Sequence, residues 1–261
     1  MIKNFQHYVP VRLVFGQGTL EETGQHAEAI GSKALIVTTG PFFKESGLVD
    51  RLTAILEKSQ VKSEYFPDIS PNPLSTEIDA GAALARKTGC DMVIGLGGGS
   101  AIDAAKGIAI ALGHEAPIWE FCPVRPDPRE TTDKTYPIIA ITTTSGTGSH
   151  ISPFSVITNP DTKQKPGMGS DYIYPRVAIV DPELMVTMPA KITAATGFDV
   201  LAHSLEAYTS NIASPMSDLY AEESIRLVGK YLRKAVQDGS DLEARAGMAY
   251  ADTLAGFAMS L

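Results

Sequence analysis

The chain is poor in cysteine. Cys90 and Cys122 are its only two in 261 residues, and their spacing fits no CxxC motif. That excludes a disulfide scaffold and leads to the expectation of a reduced, cytoplasmic protein. Positive charge is short as well: 22 Lys and Arg stand against 30 Asp and Glu, a net charge of −8. Nucleic acid and anionic membrane surfaces, which call for basic patches, are therefore not expected as partners. Long apolar runs are missing. A membrane span needs roughly 18 apolar residues in a row, and the nearest candidate, residues 101–112, is short and carries Asp103 and Lys106. The opening MIKNFQHYVP lacks the apolar core of a signal peptide.

What remains has ordinary globular composition, 44% hydrophobic and 20% charged, with length enough for a large core or two domains. The first 180 residues alternate apolar runs with helical patterns. Residues 11–15 read as a strand, followed by Gly16-Gln17-Gly18 and a helix to residue 30. Residues 34–39 (ALIVTT) and 92–96 (MVIGL) are continuous apolar runs, the mark of strands buried on both faces. Residues 63–69, 138–144 and 177–180 read as further strands. Helices are expected over 42–59, with Leu48, Leu52, Ile55 and Leu56 as its apolar face, over 76–87, and after Gly97-Gly98-Gly99-Ser100. Repeated units of this kind predict an α/β fold with a Rossmann-like, mainly parallel sheet. Residues 117–137, rich in Pro and charge, read as a surface loop. Residues 191–261 read as helices without a strand, which places a domain boundary near 186. The apolar segment 250–261 is unlike an ordinary exposed terminus, so further sequence is expected downstream.

Two loops and one helix carry chemistry. Gly97-Gly98-Gly99-Ser100 joins a buried strand to a helix, where glycines let a phosphate approach and helix N–H groups favour an anion. The spacing excludes a Walker A loop, and a plain tight turn is the alternative. Thr142-Thr143-Thr144-Ser145-Gly146-Thr147-Gly148 ends another strand and offers hydroxyls to a ribose or phosphate; a self-capped turn is the alternative. Asp199 and His203 are four apart in a helical pattern and share one face. They suit a divalent metal, although three or four ligands are usual, or else hydrogen-bond each other. Glu206 is read as facing solvent or capping a neighbour. His7 and His26 read as surface residues, His114 as a helix-end imidazole, and His150 as close enough to the Thr-Gly loop to approach a cofactor.

In order along the chain, PNP at 71–73, GGGSAIDAAK, TTTSGTGS and DPEL followed by MPAKITAATGFDVLAHSLEAY resemble the motifs of iron-containing (group III) alcohol dehydrogenases. The resemblance implies a dehydroquinate-synthase-like architecture. Residues 1–186 would form a dinucleotide-binding α/β domain and 187–261 the incomplete start of an all-helical metal-binding domain. It implies cofactor contacts from Asn72, Gly97, Gly98, Gly99, Ser100, Asp103, Thr143, Thr144, Thr147 and Lys165, and metal ligation by Asp199 and His203, with the remaining ligand histidines beyond Leu261. It implies Fe2+, with Zn2+ as in glycerol dehydrogenases of the same fold as the alternative, and a homodimer or larger assembly acting on an alcohol or aldehyde. Thr39 stands where NAD-preferring members carry Asp, so NAD or NADP is expected. A non-catalytic nucleotide-binding fragment is the rival from another class.

Overall fold

The computed structural model describes residues 4–260; residues 1–3 and Leu261, the last residue of the apolar closing segment, lie outside it. Six parallel strands form the central sheet: β1 (Arg12–Phe15), β2 (Lys33–Val37), β3 (Lys62–Phe66), β4 (Met92–Gly97), β5 (Ile138–Thr142) and β8 (Val177–Val180), in spatial order β1-β8-β5-β4-β2-β3. Helices α3 (Leu48–Lys58), α4 (Ser75–Thr88) and α5 (Gly99–His114) connect successive strands along the chain from β2 to β5. Alternation along the strands divides the core into two layers. Leu35, Val37, Val93 and Ile138 face α4 and α5, while Ile36, Met92, Ile94, Leu96 and Ile141 face α3 and α1 (Thr23–Glu28). These side chains are fully or almost fully buried, each worth about 1.5–3 kcal/mol of transfer free energy. From β2 the chain proceeds outward to β3, and from β4 it proceeds the other way to β5 and β8. The reversal between β2 and β4 opens a crevice at the carboxyl ends of those strands, where ligands of such sheets bind.

Three helices follow the sheet: α6 (Ala190–Thr209), α7 (Pro215–Gln237) and α8 (Leu242–Met259). They pack on one another through Val200, Leu227, Tyr231, Met248, Leu254 and Ala255. Among the described residues no helix is long and apolar enough to cross a membrane. Arg245, 1% exposed, ties the layer together, donating to the Gly239 carbonyl at 2.9 Å, the Met188 carbonyl at 2.9 Å and the Thr193 hydroxyl at 2.8 Å.

The helix expected over 42–59 is two, α2 (Phe42–Glu45) and α3, because Gly47 adopts φ +80° and turns the chain. The strand expected over 63–69 stops at Phe66, ahead of Pro67. The 117–137 loop is not wholly superficial: a 3-10 turn, Ile118–Phe121, buries Ile118 and Phe121 against α4 and α5, and Cys122 after it is buried too. A two-stranded antiparallel ribbon, β6 (Phe154–Val156) and β7 (Gly167–Gly169), has no counterpart in the sequence reading. Its strands are three residues long and β7 is Gly-Met-Gly, composition that reads as turn.

Candidate functional site

The glycine and Thr-Gly loops leave adjacent strands at the same level. Gly97 of β4 is in register with Thr142 of β5, and the Thr143 N–H donates to the Gly97 carbonyl at 3.0 Å. A Cβ on Gly99 would lie 2.7 Å from the Thr147 side chain, and one on Gly98 would lie 3.1 Å from the Thr144 hydroxyl. Glycine is thus needed here first for loop-on-loop packing. Gly98 caps the sixteen-residue α5 with no side-chain hydrogen bond, so the first N–H groups of a long helix face outward beside Ser100, a favourable place for an anion.

That helix end opens on a cleft of about 590 Å³, lined along one side by Asn72, Gly99, Ser100, Asp103, Thr147 and Lys165 and at the other by Asp199, His203 and Glu206. Asn72, at φ +60°, donates its N–H to the Ser100 hydroxyl at 3.1 Å, and the Lys165 ammonium donates to the Asn72 side-chain oxygen at 2.7 Å. Three residues from separate parts of the chain thereby form one polar rim. The ribbon β6–β7 is what delivers Lys165 to it.

Asp199 and His203 share the cleft-facing side of α6. Their closest approach, His203 Nε2 to Asp199 Oδ1, is 4.0 Å, too long for a hydrogen bond. The other ring nitrogen, Nδ1, lies 3.1 Å from the Gly146 carbonyl, which can only accept. The proton therefore sits on Nδ1, and a neutral ring keeps the Nε2 lone pair directed away from the carbonyl. A backbone partner on one nitrogen and a free lone pair on the other is how metal-binding imidazoles are usually held. The pair fits a divalent cation as part of a ligand set; among the described residues no group of three or more His, Cys, Asp or Glu is placed to hold a metal ion by itself. Glu206 lines the same cleft rather than capping a neighbour.

The remaining site residues stand behind this lining. Thr143 is buried, and Gly97, Gly98 and Thr144 form the inner side of the two loops. Thr39 lies at the end of β2, outside the cleft lining, in an isolated antiparallel bridge with the exposed Asp68. Asp103, in the lining itself, also anchors the wall: its carboxylate accepts the Ser149 hydroxyl at 2.6 Å and the Val156 N–H at 3.0 Å. Burial raises its pKa, against the pull of Lys106 one turn on.

His150 does not approach the cleft. It is 1% exposed and turned toward α8, with Nε2 at 3.0 Å from the Thr253 hydroxyl. Burial pushes its pKa down to about 3, so its 3.8 Å approach to Asp252 is no ion pair. His26 is half-buried rather than superficial, while His7 is exposed and stacks on Tyr220. His114 is held between the Ile110 carbonyl and Thr132, each at 3.0 Å.

Two residues to which the sequence reading gave no role at the site support the loops. Asp252 of α8 accepts the Gly148 N–H at 2.8 Å and also bonds the Gly146 N–H; burial pushes its carboxyl up to about 7. Lys106, fully buried, reaches the segment after the Thr-Gly loop, and burial lowers its pKa to about 8. Lys106 lies in the GGGSAIDAAK motif and could have been singled out there. Asp252, 104 positions from its partner, carried no local signal.

Comparison with known proteins places this arrangement. The profile described as iron-containing alcohol dehydrogenase matches residues 10–182, and that of the C-terminal part of the same family matches residues 193–261. The NAD-dependent methanol dehydrogenase of Bacillus methanolicus is 36% identical over 97% of this chain and 65% of its own length. The 1,3-propanediol dehydrogenase of Klebsiella pneumoniae is 37% identical over 98% of this chain and 66% of its own. Among solved structures, an archaeal alcohol dehydrogenase from a Red Sea brine pool superposes with a TM-score of 0.96 at 43% identity, covering 100% of this chain and 66% of that one. The NAD+ complex of sulfoacetaldehyde reductase from Bifidobacterium kashiwanohense superposes with a TM-score of 0.93 at 38% identity, covering 99% and 68%. The chain thus spans under two-thirds of the length of the curated relatives cited here.

Proposed function

The chain belongs to the iron-containing alcohol dehydrogenase family, and from that membership we infer that it carries the nucleotide-binding part and two metal donors of an NAD(P)- and metal-dependent alcohol dehydrogenase. The reaction is interconversion of an alcohol and an aldehyde or ketone by hydride transfer. The observation that carries this reading is the single cleft joining the α5 N-terminus to the Asp199–His203 pair. In it, residues 1–186 act as the dinucleotide-binding domain and 187–261 as the start of the metal-binding domain of a cytoplasmic, oligomeric enzyme.

The Gly99 and Ser100 N–H groups receive the pyrophosphate, with Thr147 beside them and Asn72 and Lys165 closing the outer rim. Asp199 and His203 hold Fe2+, together with ligands from elsewhere in the protein; Zn2+ suits the same donors. When bound, the metal supplies Lewis acidity at the alcohol oxygen. Gly146 holds the His203 ring by its Nδ1, so the same loop that walls the nucleotide orients a metal donor. Thr39 brings no carboxylate to the end of β2, but Asp68, its bridge partner, brings one to the same edge and favours NAD over NADP.

The test pairs NADH titration with metal analysis. NADH should bind the chain, and in protein that includes the downstream sequence, Asp199→Ala or His203→Ala should each abolish tight Fe2+ binding and turnover. Full turnover by metal-free enzyme would sink the reading.

A further inference from the structure

One turn of α5 holds the cleft wall in an unusual way. Lys106 has 0% exposure, and its ammonium donates to the Ser149 carbonyl at 2.8 Å, the Ser152 carbonyl at 2.8 Å and the Phe154 carbonyl at 2.6 Å. The Ser149 hydroxyl accepts from the same Nζ at 3.1 Å and donates to the Asp103 carboxylate at 2.6 Å. Asp103 completes the hold through Val156 N–H on its carboxylate and through its own carbonyl, which accepts the Ser155 hydroxyl at 2.9 Å. The segment so gripped, residues 149–156, forms turns until β6 begins at Phe154. It contributes Ser149, Ser152, Phe154 and Val156 to the cleft, and Phe154 presents an aromatic ring there at 40% exposure.

An ammonium is costly to bury, and its neutralisation by one carboxylate does not require three carbonyls to converge. Three carbonyls spread along one irregular segment, at 149, 152 and 154, fix that segment's shape. A neutral side chain at 106 would leave them facing each other without a donor.

We propose that Lys106, with Asp103, is the positioning residue of the inner cleft wall, setting the conformation of residues 149–154 and through it the affinity for a nicotinamide nucleotide. The second clause rests on the nucleotide-binding reading above; the first stands on the hydrogen bonds alone. Lys106 itself does not line the cleft and acts only through the backbone it holds.

The experiment uses the whole chain with Lys106→Met and Ser149→Ala, and measures amide hydrogen exchange, NADH affinity, and the fluorescence enhancement of NADH at saturation. In Lys106→Met, exchange at residues 149–156 should rise while β4 and α8 stay protected. NADH affinity should fall about tenfold or more, as expected for loss of a charged donor, and bound NADH should lose much of its enhancement. Ser149→Ala keeps the ammonium and all three carbonyls and should show the same changes at about threefold. Exchange and affinity within about twofold of wild type would overturn the proposal, as would exchange rising uniformly over the whole sheet. If Lys106→Met fails to fold, Ser149→Ala decides: changes confined to residues 149–156 support the proposal and their absence overturns it. If wild type binds no NADH, the nucleotide reading fails, and the exchange pattern alone judges the positioning role.

Discussion

Asp252 gives a test that separates electrostatics from shape. Its carboxyl, raised by burial from 3.8 to about 7, binds a proton more tightly in the folded chain than in the unfolded one. Between those values the native state keeps a proton that the unfolded state has released, so this residue's contribution to stability falls as pH rises and is lost above about 7. From about pH 5 to about pH 8 the loss amounts to roughly two pK units, or about 2–3 kcal/mol. Asp252→Asn keeps the shape and an acceptor for the Gly148 N–H but cannot titrate. Urea denaturation of both proteins at the two pH values measures the difference. The variant should gain about 2–3 kcal/mol on wild type over that interval. His150, with its pKa pushed down to about 3, adds a slope of opposite sign, because its unfolded form takes up a proton first. It is present in both proteins and cancels in the comparison. Parallel stability curves would refute the reasoning, for they would mean that the carboxylate remains as easily ionised inside the fold as outside it.

Gly99→Ala should force the two loops apart, since its methyl would sit 2.7 Å from Thr147. A stability loss of about 1–3 kcal/mol in chemical denaturation is expected, with NADH affinity falling at the same time. Arg245→Met should cost about 3 kcal/mol or more, because two carbonyls and a hydroxyl lose a buried charged donor; urea midpoints check it. Asp68→Asn should narrow the gap between NADH and NADPH affinity by about tenfold if its carboxylate repels the 2′-phosphate, as titration with each nucleotide would reveal.

Much of the sheet was legible because buried parallel strands leave continuous apolar runs, as at 34–37 and 92–96, each followed by glycine or threonine. The helices after residue 190 were legible for a similar reason: each is long enough to repeat its apolar spacing over several turns. Local signals failed where tertiary contacts decide. Gly47 splits one amphipathic helix into two without changing its apolar face. The β6–β7 ribbon is held by Asp103 and Lys106 rather than by β-forming side chains. His150 looked available because it adjoins the Thr-Gly loop, yet Gly148 at φ +61° turns the chain and directs it into α8. Asp103 follows the glycine loop by one turn and lines the cleft, but no local signal announced that its carboxylate also accepts from Ser149 and Val156. At the candidate metal pair, i to i+4 spacing put both donors on one face, while the carbonyl that orients His203 comes from 57 residues away.

The grip of α8 on the Thr-Gly loop has a consequence for the order of assembly. Gly148 and Asp252 are 104 residues apart, and the Cα of Gly256 packs against Gly148 closely enough that a Cβ on Gly148 would sit 2.7 Å from it. Closing so long a loop is entropically costly and is repaid only when the whole helical layer docks. Strands β2, β3, β4, β5 and β8 pair over shorter separations than this, but the Thr-Gly loop gains its last hydrogen bonds only after α8 has been synthesised and seated. The Thr-Gly wall of the cleft is therefore among the later features of the chain to become rigid, and substitutions at Asp252 or Gly256 on α8 will first be felt as slow or incomplete maturation of that loop.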